Sequence, residues 1–295
     1  MDQADSLRQM MKERRGALRV IAVTSGKGGV GKTNVTANLA TLAAQSGQRV
    51  LIVDGDLGLA NVEIMFGLAP RFHLGHLLDG SADLNQVLAK GPEGVRVLPG
   101  GSGVRSLTAL DDAQKMRLMA TLDTMEDDFD LILIDTGAGI GENVLFFVGG
   151  AQEALLVVTP EPTSLTDAYA AIKVLSLEAG VEHFHVLVNQ APTEQVARDI
   201  YEKLCNVTRR FLKARLKMLG FLPRDENIHR AVLMQKPVVL AFPHSPVSRA
   251  LKVAGDKLLQ EEPPPGNAGG LKFLWHRMLR EGPEASAPVA PGTPT

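Results

Sequence analysis

Runs of apolar residues separated by glycines and acids recur along residues 18–260 of the chain. Because these runs are continuous rather than alternating, they are typical of strands in a parallel sheet that is covered on both faces. The predicted strands are residues 20–23, 49–54, 94–101, 131–134, 153–160 and 183–191, with a last one beginning near 218. Between most of them, apolar residues recur at helical spacing. This alternation predicts an α/β fold with a doubly wound, mostly parallel sheet flanked by helices.

Apolar residues at helical spacing define the predicted helices. These are residues 32–46, short helices within 74–90, then 111–126, 163–175, 193–215 and 245–260. The expected buried set of helix 111–126 is Ala113, Met116, Met119, Ala120, Leu122 and Met125. The basic residues of helix 193–215 are Arg198, Lys203, Arg209, Arg210, Lys213 and Arg215. Such a charge run is more often a solvated helix face than a nucleic-acid or lipid surface.

Composition and charge narrow the function classes. The 295 residues are 45% hydrophobic with a formal net charge of −2, which argues against a strongly basic nucleic-acid binder. Cys205 is the single cysteine, so no intrachain disulfide can form and a reducing compartment is expected. Residues 1–16 are too polar for a signal peptide, and no apolar run approaches ~18 residues, the length of a membrane span. His183 and His185 lack nearby carboxylate or cysteine partners, so no metal site is predicted there.

A glycine-rich stretch carries the strongest candidate chemistry. Gly26, Gly31, Lys32 and Thr33 meet the pattern G-x-x-x-x-G-K-[ST] between a predicted strand and a predicted helix, which is the order that a phosphate-binding loop requires. Backbone N–H groups and the helix N-terminus attract the anion. Lys32 is expected to reach the β- and γ-phosphates, and Thr33 to ligate Mg²⁺. The predicted loop comprises Gly26, Lys27, Gly28, Gly29, Val30, Gly31, Lys32, Thr33 and Asn34.

A second lysine, Lys27, gives this loop the form K-G-G-V-G-K-T. With it the sequence resembles the MinD/ParA ATPases, P-loop proteins with a deviant phosphate loop. The resemblance implies ATP and Mg²⁺ as cofactors and a catalytic role for Lys27, which in that family crosses to the nucleotide of the partner subunit in an ATP-dependent homodimer. A cation stabilises a triphosphate most where water is excluded, as at a subunit interface. The alternative is a solvated surface lysine.

Two acids, Asp54 and Asp56, follow the second predicted strand. They lie at the edge where open α/β sheets bind ligands. The resemblance implies that Asp56 belongs to a first switch segment and positions the attacking water, and that Asp54 lies in the outer shell of Mg²⁺. The alternative is an ordinary strand-terminal acid, which in the case of Asp54 would cap a turn.

A third acid, Asp135, ends the predicted strand 131–134. It has the position of a Walker-B aspartate, which holds Mg²⁺, usually through water. Gly137 and Gly139 follow, and glycine there lets a backbone N–H approach a γ-phosphate. The turn is therefore predicted to be a second switch segment. The alternative is an ordinary acid between a strand and a loop.

The same resemblance implies a surface for the base. Asn189, near the end of the predicted strand 183–191, matches the adenine-reading asparagine of the family. An amide can both donate to and accept from the adenine edge. The segment from Pro223 to Asp225 matches the part that packs on the base in relatives. The alternative for Asn189 is a turn residue.

Residues 1–16 precede the first predicted strand and carry apolar residues such as Leu7 and Met11 at helical spacing. The pattern D-Q-A-x-x-L-R resembles the N-terminal motif of the FlhG (FleN) family of flagellar-number regulators. The resemblance implies that Gln3, Leu7 and Arg8 stimulate a partner GTPase, FlhF. The alternative is a frayed, solvated terminal helix.

The end of the chain changes in composition. A Pro- and Gly-rich linker, residues 261–270, leads into residues 271–281, which have an apolar face opposite a basic face. This pattern with tryptophan predicts an interfacial membrane helix, and the alternative is a helix that docks on its own domain. The predicted lipid-contacting residues are Leu271, Phe273, Leu274, Trp275, Met278 and Leu279. Residues 282–295 are of low complexity and are predicted to be disordered.

These patterns predict a partner-activating arm, an ATPase domain, a linker, a membrane helix and a tail. Their predicted bounds are 1–16, 17–260, 261–270, 271–281 and 282–295. The resemblance implies slow ATP hydrolysis by a cytoplasmic protein that binds reversibly to lipids on the inner face of the cell membrane. It also implies control of flagellar number or placement through FlhF, flagellar switch-complex proteins and a flagellar transcription activator, without direct nucleic-acid binding.

Three other functions fit parts of the same pattern. A cell-division-site selector of the MinD type shares the fold, the ATPase and the lipid helix, but has no need of the D-Q-A-x-x-L-R arm. A DNA-segregation ATPase of the ParA type would bind DNA with steep salt dependence, against which the net acidic charge argues. In a third alternative, the protein is a binding module whose nucleotide only stabilises one shape.

Overall fold

The computed structural model describes residues 18–59, 61–101, 103–104 and 107–261. These residues form one eight-stranded sheet with the order β3-β4-β2-β5-β1-β6-β7-β8. The strands are β1 Arg19–Thr24, β2 Val50–Gly55, β3 Ala89–Lys90, β4 Arg96–Leu98, β5 Leu131–Thr136, β6 Glu153–Val158, β7 His183–Ala191 and β8 Arg215–Pro223. β3 pairs antiparallel with β4, and the other neighbouring strands of this sheet are parallel. The predicted fold class is confirmed.

Helices cover both faces of the sheet. They are α1 Lys32–Gln45, α2 Val62–Met65, α3 Leu74–Asp79, α4 Leu84–Val87, α5 Asp112–Thr124, α6 Glu142–Gly149, α7 Pro162–Glu178, α8 Glu194–Phe211, α9 Glu226–Leu233, α10 Val238–Ala241 and α11 Pro246–Gln260. Alternate strand residues face opposite layers. Val20 packs in the core beneath α3 to α8, whereas Ile21 packs in the core beneath α1 and α9 to α11. Continuous apolar strands are thus buried on both sides.

Several predicted features lie outside the described residues. These are the arm 1–16 with Gln3, Leu7 and Arg8, the linker beyond residue 261, the amphipathic helix 271–281 with its lipid-contacting set, and the tail. Within the part that the structure describes, no helix combines the length and apolar character needed to cross a bilayer. The predicted domain bounds stay predictions.

The predicted buried face of helix 111–126 is partly wrong. In α5, Ala113, Met116 and Ala120 are exposed, and Met116 keeps 57% of its surface. Leu118, which the predicted set omitted, is completely buried, and the predicted Met119 and Leu122 are buried as well. Apolar residues lie around much of this helix, so their spacing alone could not decide which face packs on the core.

The predicted helix 193–215 is too long. α8 ends at Phe211, Leu212 has an extended backbone, and Arg215 begins β8. The backbone N–H of Arg215 donates to Glu182 O at 2.7 Å, which starts the pairing with β7. Tertiary strand pairing therefore overrides helix propensity here. Arg198, Lys203, Arg209 and Arg210 stay on the helix, whereas Lys213 and Arg215 do not.

A buried ion cluster joins the amino ends of β1, β6 and β7. The Arg19 guanidinium donates to both carboxylate oxygens of Glu153, at 2.7 and 2.9 Å, and also to the carbonyl oxygens of Leu258 and Glu261. His185 Nε2 lies 2.5 Å from Glu153 Oε2. The expectation that His185 has no carboxylate partner is wrong, because the partner comes from a strand 32 residues away. The cluster fastens the end of α11 to the sheet.

This cluster predicts an acid-sensitive contribution to stability. Burial raises the pKa of Glu153, but hydrogen bonds from His185 and Arg19 outweigh it and lower the pKa to about 2. The ionised carboxylate therefore stabilises the fold fully above the ordinary glutamate pKa, and this contribution of about 3 kcal/mol is lost as the pH falls towards 2. In urea titrations, the difference in unfolding free energy between wild type and Glu153→Gln should shrink by about 2 kcal/mol from about pH 5 to pH 3. A constant difference would mean that Glu153 does not titrate in this range.

Candidate functional site

The glycine-rich loop connects β1 to α1 at the carboxyl edge of the sheet. Gly31 precedes the first turn of α1 with a φ of 95°, and Gly29 has a φ of 76°, a region that favours glycine. A Cβ on Gly26 would lie 2.1 Å from the backbone of Asp167, so α7 can approach the loop only because residue 26 is glycine. The loop is curled as a phosphate-binding loop requires.

Lys32 lies buried at the start of α1, next to carboxylates from two neighbouring strand ends. Burial lowers the pKa of Lys32, while the charges of Asp135 and Asp56 raise it. Burial raises the pKa of Asp135 to about 6, against hydrogen bonds from Thr33 and Thr36 and the charge of Lys32. Burial also raises the pKa of Asp56, which Lys32 opposes. The sequence-predicted Lys32, Thr33, Asp56 and Asp135 are therefore brought together.

This donor set fits Mg²⁺. The Thr33 hydroxyl and the Asp135 carboxylate are hard oxygen donors, and a desolvated carboxylate whose pKa is raised has a need for a cation. Within the described ranges, no cluster of three or more His, Cys, Asp or Glu side chains could hold a metal by itself. Mg²⁺ usually binds one or two carboxylates together with substrate phosphates, so Asp135 and Thr33 can be its protein ligands.

Asp54 has a different surrounding from Asp56. Its Oδ2 accepts from the backbone N–H groups of Asn61 and Val62 at 3.0 and 3.1 Å, and its Oδ1 accepts from that of Asp56 at 3.2 Å. Burial and the adjacent Asp135 raise the pKa of Asp54. The carboxylate thus anchors both ends of the predicted first switch segment. These contacts are those of an acid that caps a turn, as in the alternative given for Asp54. A role of Asp54 near Mg²⁺ stays a prediction.

The two predicted switch segments meet beside the loop. The backbone N–H of Gly139 donates to Ser25 O at 2.9 Å. A Cβ on Gly137 would lie 3.5 Å from Asp56 Oδ1, so the glycine turn runs close to that carboxylate. A group that enters between the loop and this turn would compete for the Gly139 N–H.

Lys27 makes contacts that the sequence did not indicate. Its Nζ lies 2.5 Å from Glu161 Oε2 and 3.1 Å from Thr163 Oγ1, both at the start of α7. The Lys27 side chain remains 37% exposed and that of Glu161 59% exposed. Ion pairs this exposed contribute little to stability. Lys27 can therefore change partners at small cost.

A cavity of about 380 Å³ extends from the loop towards β8, α9 and α11. The predicted base-binding residues Asn189, Pro223 and Asp225 all line it. Asn189 Nδ2 donates to Val30 O at 2.8 Å, which couples the amide to the phosphate loop. The Asp225 carboxylate accepts from the backbone N–H groups of Asn227 and Val247 at 2.9 and 3.2 Å, so it ties α9 to α11.

Other residues that line this cavity are not marked by any motif in the sequence. They include Asn38, Gln190, Arg224, Ile228, His229 and Val232. Most belong to α9 or its approach, a short helix that the apolar pattern did not reveal. Gln190 has a φ of 57°, which is rare outside glycine and marks the sharp turn after Asn189. An unusual backbone position of this kind has no sequence signal.

The sequence and fold of the chain resemble those of known nucleotide-binding proteins. The CobQ/CobB/MinD/ParA nucleotide binding domain matches residues 21–238. The antiactivator FleN of Pseudomonas aeruginosa is 44% identical over 270 residues, which are 92% of this chain and 96% of FleN. The flagellum site-determining protein YlxH of Helicobacter pylori is 31% identical, over 91% and 92% of the two chains.

A solved structure agrees with this grouping. The septum site-determining protein MinD of Pyrococcus horikoshii, complexed with Mg-ADP, has a TM-score of 0.70 at 28% identity. The match covers 82% of this chain and 96% of that one. The predicted resemblance is confirmed, and the chain belongs to the CobQ/CobB/MinD/ParA family of nucleotide-binding proteins, with FleN among its relatives.

Proposed function

We propose that this protein is an ATP-driven dimerisation and membrane-association switch that regulates flagellar number or placement. The observation that carries the proposal is the similarity to FleN, which extends over 92% of this chain and 96% of FleN. YlxH, named as a flagellum site-determining protein, supports the same pathway. The term antiactivator in the name of FleN supports a flagellar transcription activator as one partner.

The arrangement of the site supports ATP hydrolysis in which each residue has a defined role, and the slow rate is carried over from the resemblance to the MinD/ParA ATPases. The loop N–H groups and Lys32 hold the phosphates, and Asn189 with the segment 223–225 holds the base. Thr33 and Asp135 would hold Mg²⁺, with Asp54 in the outer shell, and the bound ion would supply positive charge against the phosphates. Asp56, close to Lys32 and to the glycine turn, orients the attacking water.

A dimer completes the site in this proposal. Lys27 leaves its exposed partner Glu161 and reaches the phosphates of the partner subunit, where exclusion of water strengthens the interaction. Leu59 and Ile140, on the two switch segments, are 71% and 46% exposed. Large apolar side chains on segments that respond to the γ-phosphate are well placed to be buried when two subunits meet.

Replacing Lys27 with alanine should separate ATP binding from dimerisation. The variant should bind ATP as a monomer, and its turnover should fall by roughly 10²–10³-fold, because a cation acting on the developing phosphate charge is lost. Light scattering with and without ATP measures the dimer. The matched control is Glu161→Gln, which removes the ion pair but keeps Lys27 and should keep the dimer. If Lys27→Ala still formed a normal ATP-dependent dimer, Lys27 would have no role at the nucleotide of the partner subunit and would only form its surface ion pair with Glu161.

The two ends of the chain carry the output of the switch. Residues 271–281 bind lipid weakly one at a time, but two copies on an ATP-bound dimer bind far better through effective concentration. The protein therefore alternates between the cytoplasm and the inner face of the membrane. Gln3, Leu7 and Arg8 stimulate FlhF, and the flagellar switch-complex proteins are further partners.

The GTPase rate of FlhF from the same organism tests the pathway. A peptide of residues 1–16 should stimulate it, and a Gln3→Ala, Arg8→Ala peptide should not. Equal GTPase rates with and without the wild-type peptide would mean that residues 1–16 do not stimulate FlhF, and the flagellar pathway would be removed from the proposal. Division-site selection would then be favoured, since the Pyrococcus MinD structure matches the same domain with a TM-score of 0.70.

A further inference from the structure

A second cavity lies at the opposite edge of the sheet from the nucleotide site. It has a volume of about 600 Å³ and reaches Val50 and Arg96, the first residues of β2 and β4. One wall is the loop that leads into β5, where Met125, Asp128 and Phe129 line the cavity. These are amino ends of parallel strands, whereas the phosphate loop follows the carboxyl end of β1. The cavity is therefore separate from the site described above.

The lining of this cavity combines apolar side chains with polar and charged ones. Leu84, Leu88, Met125 and Phe129 give it an apolar floor. Arg96 Nε and Gln48 Oε1 are shielded from solvent and have no hydrogen-bond partner among the described residues. A donor and an acceptor that are shielded but unpaired are costly, so a rotation of Arg96 and Gln48 that brings these atoms to a carboxylate and an N–H group in the cavity would be favourable.

The first described residues, Leu18 and Arg19, lie beside this cavity. The backbone N–H of Arg19 donates to Asp130 O at 3.1 Å, and Asp130 follows the cavity wall directly. β1 is separated from β4 by β5 and β2, a distance of roughly 15 Å at the usual strand spacing. The residues before Leu18 would span roughly 25 Å even as a helix. They can therefore reach across the cavity.

The charges and apolar residues of the segment before Leu18 match those of the cavity. The residues before Leu18 include the cations Arg8, Lys12, Arg14 and Arg15. On the cavity side, Asp128 lines the wall and is exposed, and the acids Glu126 and Asp127 precede it in the chain. Arg49, which also lines the cavity, is already paired with Asp130 at 2.7 Å. Leu7 and Met11 suit the apolar floor, and the carboxylates of Asp5 and Glu13 can accept from Arg96 Nε.

We infer that residues 4–15 dock in this cavity, so that the chain stores its own N-terminal arm at the edge opposite the nucleotide. In the docked state Leu7 and Arg8 lie against the domain and are withheld from other proteins. A partner protein can bind the arm only after the arm has left the cavity. The docking itself does not depend on which partner that is, so it can stand or fall separately from the proposed function.

Trypsin cleavage after Arg8 in the full-length protein reports on this docking. Cleavage should be slow in the wild type and roughly tenfold faster in Asp128→Lys, because a docked segment is cut only when it opens. The Arg14→Glu, Arg15→Glu variant should be equally fast. Combining the two sets should restore protection, since opposite charges again face each other.

The matched control is Asp199→Lys, which reverses an exposed charge on α8 and should leave the cleavage rate unchanged. Retained ATP binding would show that each variant is folded. Equal cleavage rates in the wild type and Asp128→Lys would overturn the inference. Protection that increases with protein concentration would also overturn it, because a second copy of the chain would then fill the cavity.

Discussion

The Lys32→Ala variant is expected to lose ATP binding at the ATP concentrations that saturate the wild type, and to remain a monomer there. Lys32 is buried at the start of α1 and interacts with Asp135 and Asp56. Without this cation, three carboxylates at neighbouring strand ends would repel the phosphates. Charged hydrogen bonds to two phosphates contribute roughly 3–6 kcal/mol, so affinity should fall at least about 100-fold.

Fluorescent-nucleotide titration and light scattering measure these two losses. Burial lowers the pKa of Lys32 although Asp135 and Asp56 raise it, so the variant loses two charge interactions but also the cost of burying a cation, and it should stay folded. A thermal melt checks this. The matched control is Lys27→Ala, which should still bind ATP while losing the dimer. An ATP-dependent dimer of Lys32→Ala would contradict the assignment of the loop as the phosphate site.

The phosphate loop was predictable because its chemistry is local. Gly31, Lys32 and Thr33 are adjacent, and a strand and a helix on either side follow from short-range patterns. Gly26 adds a tertiary reason, since α7 packs where a side chain would lie. The strands were predictable in the same way, because full burial on two faces demands continuous apolar runs.

The contacts that were missed link residues far apart in the chain. Arg19 and Glu153 are 134 residues apart, as are Lys27 and Glu161. No residue near Arg19 or Lys27 in the sequence indicates the partner of that side chain. The order of the strands in the sheet decides which strand ends become neighbours. Asp54 shows the same limit within one site. Its place after a strand predicted a ligand, but its three backbone donors are visible only in the fold.

Asp56→Ala is expected to bind ATP but to hydrolyse it at least roughly 100-fold more slowly, and to accumulate as a membrane-bound dimer. Asp56 lies near Lys32 and close to the glycine turn at Gly137, where a water attacking the γ-phosphate would be held. Its side chain does not anchor the fold in the way that Asp54 does. Loss of the carboxylate should therefore stop the reaction after the dimer has formed.

Phosphate release and co-sedimentation with lipid vesicles give the two readouts. The matched control is Asp54→Ala, two residues away, which removes the acceptor of three backbone N–H groups. That variant should lose about 2–4 kcal/mol of unfolding free energy, because buried donors are left unpaired. Asp56→Ala should melt close to wild type. If Asp56→Ala turned over at the wild-type rate, another group would orient the water, and release from the membrane would not depend on this residue.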